Sequence, residues 1–291
     1  MAKVAFLGLG VMGYPMAGHL LKKGGHEVTV YNRNAAKAAQ WVKEYGGKSA
    51  PTPKEAAQGC DFVMMCVGND DDIRSVVYGD SGALAGLKKG AILVDHTTAS
   101  AIIARELHAK CKDKGVGFVD APVSGGQAGA VNGQLGIMCG GESADFDRAK
   151  PVLDVYAKSC ALIGAPGAGQ LTKMVNQIAI AGLLQGLSEA LNFGKRAGLD
   201  LEKVISVISK GAAQSWQMEN RWKNMNEVKF DGFGFAVDWM RKDLGICLEE
   251  AKKNGARLPA TALVDQFYAQ VQARGGSRWD TCSLMHLLAK D

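Results

Sequence analysis

No stretch of about 20 apolar residues runs through this chain, which excludes a helical membrane span. Nor is there a block of five or more consecutive basic residues of the kind that marks a nucleic-acid tail. A net charge of +5 over 291 residues leaves only a mild attraction for anionic small molecules. Seven cysteines are present (Cys60, Cys66, Cys111, Cys139, Cys160, Cys247 and Cys282), but none forms a C-x-x-C pair. Neither a disulfide framework nor a thiolate zinc site is signalled. The histidines (His19, His26, His96, His108, His286) lack ligand spacing as well, so no metal is expected. Met1-Ala2-Lys3 leads straight into an apolar strand with no secretory core and cleavage site, and no internal repeat or low-complexity tract follows. These absences point to the cytoplasm, with neither nucleic acid nor membrane as a partner.

What is present begins with a hydrophobic content of 47%, enough to bury a substantial core, and a length that suits two domains. The first half repeats a short apolar run, a glycine-rich turn and a helical segment of mixed charge, the pattern of a parallel sheet with crossover helices. Strands are expected at Val4 to Leu7, Val28 to Tyr31, Phe62 to Val67, Ile92 to Asp95, Gly117 to Asp120, Leu135 to Cys139 and near Ala161 to Ile163. After the glycines between Gly164 and Gly169 the pattern becomes helical: Gln170 to Ala197, Leu201 to Lys210, Leu244 to Asn254 and Thr261 to Arg274. The predicted fold class is α/β: a doubly wound sheet over 1–164, joined by a long helix to an all-α domain over 165–291.

Gly8-Leu9-Gly10-Val11-Met12-Gly13 is a G-x-G-x-x-G sequence, placed where the first strand ends and a helix opens near Tyr14-Pro15. Gly8 permits the tight turn, Gly10 lets backbone approach a pyrophosphate, and Gly13 lets helix pack on strand, with phosphate at the helix N-terminus. An NAD site usually closes its second strand with an acid that binds the ribose hydroxyls. Here the chain has Asn32, then Arg33 and Asn34, with Lys37 one turn later. A neutral amide does not repel a 2′-phosphate, and Arg33 can bind one with charge-assisted hydrogen bonds. The expected cofactor is therefore NADP, with NAD still possible.

Gly117-Phe118-Val119-Asp120-Ala121-Pro122-Val123-Ser124-Gly125-Gly126 leaves a strand into a glycine-rich loop. Such a loop can offer the Ser124 hydroxyl and backbone N–H groups to a substrate carboxylate. Lys173 stands near the start of the first long helix, and Asn176 and Gln177, three and four residues on, share its face. Partial burial there would disfavour the charged amine and bring it into the range useful for proton transfer.

Four motifs in order over Val4 to about Leu288 resemble the β-hydroxyacid dehydrogenase family, which includes 3-hydroxyisobutyrate dehydrogenase, tartronate semialdehyde reductase and the glyoxylate and succinic semialdehyde reductases. They are G-L-G-x-M-G, D-A-P-V-S-G-G, G-A-G-Q-L-T-K-M-V-N and R-K-D-L at Arg241 to Leu244. The resemblance implies a Rossmann domain, an all-α domain and an active site in the cleft between them. It further implies that Lys173 is the catalytic lysine, that Ser124, Gly125 and Gly126 hold the substrate carboxylate, and that Asn176 orients the substrate. Trp216 falls where relatives line the substrate pocket. Thr98 and Lys242 match cofactor contacts, and Val67 at the close of the third strand is assigned with them. A homodimer or homotetramer is expected.

Some residues depart from the family pattern. Asp95-His96-Thr97-Thr98-Ala99-Ser100 replaces the usual D-x-S-T-x-x-P, and Gln177 stands where 3-hydroxyisobutyrate dehydrogenases carry a second asparagine. Two other readings are an imine reductase, against which Lys173 argues, and a non-catalytic dinucleotide-binding scaffold, against which Lys173 together with Ser124-Gly125-Gly126 argues.

Overall fold

In the computed structural model, which describes residues 1–288, the chain opens with β1 (Lys3–Leu7), α1 (Gly13–Lys22), β2 (Glu27–Tyr31), α2 (Ala35–Tyr45) and the two-residue β3 (Lys48–Ser49). There follow α3 (Pro53–Ala57), β4 (Phe62–Met65), α4 (Asp70–Val77), α5 (Ala83–Gly86), β5 (Ile92–Asp95), α6 (Ala101–Asp113) and β6 (Gly117–Asp120). These strands lie in the order β3-β2-β1-β4-β5-β6, every neighbouring pair parallel. The strand order reverses between β1 and β4, the switch point at which doubly wound sheets bind ligands beyond their carboxyl ends. Alternate residues feed two cores. Val4 and Phe6 of β1 pack with Leu20, Trp41 and Tyr156, while Ala5 and Leu7 pack with Val63, Ile73 and Leu93. Covered on both faces, the strands have no polar side, which is why they read as unbroken apolar runs.

The sequence reading expects one parallel sheet, and here the structure corrects it. Beyond β6 come β7 (Val123–Ser124), α7 (Gly126–Asn132), β8 (Leu135–Gly141), α8 (Ser143–Leu153) and β9 (Ala157–Gly164). β8 runs antiparallel to β6 and β7 and parallel to β9. Between β6 and β8 lie only β7 and the seven-residue α7, after which Gly133 (φ +61°) turns the chain back. A parallel return instead needs a long crossover, which α8 supplies for β9. The glycine-rich loop is likewise more ordered than expected, since it holds both β7 and α7.

α9 (Ala168–Arg196) follows, then α10 (Leu201–Ile208), α11 (Trp216–Asn226), α12 (Val237–Asn254), α13 (Pro259–Ala273) and a 3-10 turn at Thr281–Leu287. The described chain separates into two compact units, Met1–Lys173 and Met174 onward. The break falls inside α9, because the first turn of that helix is hydrogen-bonded to β6: the Asp120 carboxylate accepts the Gly167 and Gln170 backbone N–H groups at 2.8 and 2.9 Å. Residues 289–291 of the expected second domain lie outside the described residues.

The second unit's core joins Leu184, Leu187 and Leu191 of α9 to Ile205, Met218, Met240, Leu244 and Tyr268. One helix of this unit is unexpected and one expected helix starts earlier. α11 is absent from the sequence reading because its polar stretch buries only Met218 and Met225; the Ser215 hydroxyl starts it by accepting the Met218 N–H at 3.0 Å. α12 begins at Val237 rather than Leu244, with Val237, Met240, Leu244 and Cys247 forming one buried helical stripe.

Candidate active site

The glycine turn is shaped by sterics at two positions and open at the third. At Gly8 (φ +94°) a Cβ would fall on the Cys66 carbonyl oxygen, and at Gly13 it would fall on the Gly8 carbonyl oxygen and Phe6 ring. At Gly10 it would meet nothing within 4 Å. No side chain caps the N-terminus of α1 and no acid stands in its first turn. By contrast α2, α4 and α6 are capped by Asn34, Asn69 and Ser100. A helix N-terminus left without a capping side chain, beside open space over Gly10, fits the pyrophosphate of a dinucleotide. Val11 and Gly10 are exposed, Leu9 is buried and Met12 is half-buried.

Around the turn, the strand ends supply the other residues expected to meet a cofactor. Asn32 directs its amide at the chain itself: Oδ1 accepts the Leu9 N–H at 2.9 Å and Nδ2 donates to the Asn34 carbonyl at 3.0 Å. Asn34 accepts the Ala36 N–H as the cap of α2. Arg33 is exposed and 3.4 Å from Asp72, and Lys37 is half-buried in the first turn of α2. Val67 donates its N–H to Thr97 Oγ1 at 3.0 Å, and Thr98 is half-buried in the turn after β5.

Ser124 is half-buried in β7, its backbone paired with Gly136. Gly125 and Gly126 adopt φ of +130° and +60°, and α7 begins there with no side-chain cap. A bare turn of this kind can offer successive N–H groups to an anion. Lys173 is buried on α9 at 7% exposure, an unusual place for a lysine without a specific role.

In the second unit Asn176, Gln177, Asp243 and Lys242 form one chain. Asn176 Nδ2 donates to Gln177 Oε1 at 2.7 Å, Gln177 Nε2 donates to Asp243 Oδ2 at 2.7 Å, and Lys242 Nζ lies 3.1 Å from Asp243 Oδ1. The departure at Gln177 therefore has a structural use, tying α9 to α12. Trp216 is half-exposed at the start of α11, with the Arg221 guanidinium 5.0 Å from its ring centroid.

Several buried polar groups at the strand ends lie outside the expected site residues. Asp95 is fully buried: Oδ1 accepts the Thr97 N–H at 2.9 Å, Oδ2 has no hydrogen-bond partner among the described residues, and burial pushes the pKa up to about 7. Asp120, its register partner on β6, is pushed up to about 6 by burial, against the backbone N–H bonds that pull it down. His96 Nδ1 is 2.7 Å from the Ala121 carbonyl, so it carries the proton, and Nε2 accepts from Tyr156 Oη at 2.8 Å. Burial lowers its pKa to about 4. The available signal was an acid or histidine closing an otherwise apolar strand, Ile92 to His96 and Gly117 to Asp120. Among the described residues no group of three or more His, Cys, Asp or Glu side chains could hold a metal ion, and no helix is long and apolar enough to cross a membrane.

Comparison with known proteins gives this geometry its class. Residues 3–164 match the family model for the NAD binding domain of 6-phosphogluconate dehydrogenase, and residues 167–288 match that for the NAD-binding region of NADP-dependent 3-hydroxyisobutyrate dehydrogenase. An uncharacterized oxidoreductase of Shewanella frigidimarina is 65% identical over 100% of this chain and 99% of its own. The 2-hydroxy-3-oxopropionate reductase of Escherichia coli is 33% identical over 98% and 97%. The structure of Mycobacterium tuberculosis 3-hydroxyisobutyrate dehydrogenase with L-serine superposes with a TM-score of 0.89 at 29% identity, covering both chains fully. The fold and the glycine turn are those of a nicotinamide-dependent oxidoreductase acting on CH–OH groups. Within that class the chain belongs to the β-hydroxyacid dehydrogenase family.

Proposed function

We propose that the protein is an NADP-preferring reductase of small carboxylate-bearing aldehydes, working reversibly on the matching hydroxy acids, β-hydroxy acids foremost. The observation that carries the reading is the burial of Lys173 in the same compact unit as the dinucleotide turn. Gly8 to Gly13, Arg33, Lys37, Val67, Thr98 and Lys242 hold the cofactor, which when bound donates or accepts the hydride, while Asn32 braces the glycine turn and Asn34 caps α2 beside it. Lys173 gives a proton to the substrate oxygen as the aldehyde is reduced and takes it back in the reverse direction. Ser124, Gly125 and Gly126 bind the carboxylate through a hydroxyl and backbone N–H groups. Asn176 orients the substrate, its amide fixed by Gln177, and Trp216 lines the substrate's surroundings.

The protein acts in the cytoplasm, consistent with cysteines that are all free thiols. It assembles as a homodimer or homotetramer, and an apolar stripe on α9 from exposed Val175 past Gly182 and Gly186 to exposed Phe193 favours self-association. The decisive assay offers methylmalonate, tartronate and succinic semialdehydes, glyoxylate and propanal, each with NADPH and NADH. Turnover of at least one of these acids with NADPH, and much slower turnover of propanal, is expected. Equal use of propanal removes the carboxylate site, and absence of any turnover favours a binding scaffold.

A further inference from the structure

The side chain of Asp120 is fully buried and aimed at the backbone that opens α9. Oδ1 accepts the Gly167 N–H at 2.8 Å and Oδ2 the Gln170 N–H at 2.9 Å. Two glycines make room for it: a Cβ at Gly140 would stand 2.6 Å from Oδ1, and one at Gly169 would stand 2.8 Å from Oδ2 and fall on the Met138 carbonyl oxygen. A second tie comes from the turn after β5. Gln170 Nε2 donates to the Thr97 carbonyl at 2.7 Å, and its Oε1 accepts the Ala99 N–H at 3.0 Å.

Helix N-termini leave N–H groups without intrahelical partners; neutral side chains satisfy them at α2, α4 and α6, and the exposed carboxylate of Asp200 does so at α10. A buried carboxylate is a costlier cap, because it must be desolvated. What it adds is a two-point grip. With one oxygen on Gly167 and the other on Gln170, it holds the first turn of α9, up to Lys173, at two points against β6. Lys173 stands three residues beyond Gln170, on the same side of the helix and buried. A change in the helix start moves the lysine with it.

We propose that Asp120, seconded by Gln170, is a positioning residue that sets where the Lys173 amine stands for proton transfer. The inference rests on the reading of Lys173 given above. Misplacing a reacting group by about 1 Å can cost on the order of a hundredfold in rate. Asp120→Asn keeps the shape but turns an N–H donor toward a backbone donor. It should lower kcat roughly ten- to a hundredfold, with substrate KM and cofactor Kd held within about twofold.

The experiment measures kcat, KM and NADPH Kd for wild type, Asp120→Asn, Lys173→Ala and the double variant, with melting curves for each. A double variant no slower than Lys173→Ala is expected, since the helix start then has no lysine to place. Asp120→Asn at wild-type kcat, losses that multiply in the double variant, or equal changes in kcat, KM and Kd would each overturn the proposal. A Lys173→Ala variant of normal kcat instead overturns the reading of Lys173, and this inference with it. Should Asp120→Asn fail to fold, Gln170→Met enters the same cycle, because it keeps the carboxylate and cuts only the second tie; the same outcomes decide.

Discussion

Asn32 Oδ1 accepts the Leu9 backbone N–H at 2.9 Å, so the residue that closes β2 braces the glycine turn. The position where an NAD site carries its ribose-binding acid thus serves the scaffold, and the next outward-facing polar group is Arg33. In the structure Arg33 leans toward Asp72 at 3.4 Å with its side chain 87% exposed. An exposed pair of this kind is worth under about 1 kcal/mol, against about 1.5–3 kcal/mol for a charge-assisted bond to phosphate.

Arg33 should therefore leave Asp72 when a 2′-phosphate is offered. NADPH is expected to bind roughly ten- to a hundredfold more tightly than NADH. Arg33→Ala should remove most of that preference while leaving NADH affinity unchanged, and Asp72→Asn should strengthen NADPH binding by no more than about fivefold. Fluorescence titration of both cofactors checks this; equal affinities in the wild type would mean that Arg33 stays in solvent.

The three glycines of the turn separate fold from function. Gly10→Ala places its methyl in open space, so the variant should melt like wild type yet bind either cofactor far more weakly. Gly13→Ala drives a methyl into the Gly8 carbonyl and the Phe6 ring and should lower the melting temperature by several degrees, an overpacking cost of about 1–3 kcal/mol. A Gly10→Ala protein with unchanged cofactor affinity would show that the pyrophosphate does not lie over this residue.

Ser124→Ala should raise KM for carboxylate-bearing aldehydes about ten- to a hundredfold, the worth of a hydrogen bond to a charged group. Turnover of an aldehyde without a carboxylate should change little. Steady-state kinetics on succinic semialdehyde and propanal make the comparison, and equal effects on both would place the carboxylate elsewhere.

Asp95 gives a pH signature. Its folded pKa of about 7 lies above that of an unfolded aspartate, so between about pH 4 and pH 7 the folded state binds more protons and loses stability as pH rises. His96 acts oppositely: lowered to about 4, it withdraws stability as pH falls from about 6.5 toward 4. The two offset each other in the wild type. Asp95→Asn removes only the first, and the variant should gain on wild type at pH 8 relative to pH 5, by on the order of a few kcal/mol. Asp120 is present in both proteins, and its charge is among the causes that raise Asp95. Melting curves at the two pH values decide, and a pH-independent difference would mean that Asp95 is ionised throughout.

The class of the fold and the dinucleotide turn were legible in the chain because both are local. Apolar runs of strand length, a turn of three glycines, and Lys173 with Asn176 three residues later are short-range patterns that backbone geometry converts directly into elements. The same locality explains where the structure departs from those patterns. The direction of β8 depends on how Gly133 turns the chain against β6, and α11 owes its existence to burial of Met218 and Met225 in a core assembled from distant segments.

Nothing in the order of residues says that Asp120 reaches Gly167 and Gln170, that Gln177 reaches Asp243, or that Asn32 spends its amide on Leu9. Each is a hydrogen bond between groups more than 20 residues apart, created when burial forces a polar side chain to find the nearest donor or acceptor. Sequence alone determined which chemistry the chain carries; tertiary structure decided which polar groups hold that chemistry in place, because only packing removes water as their alternative partner.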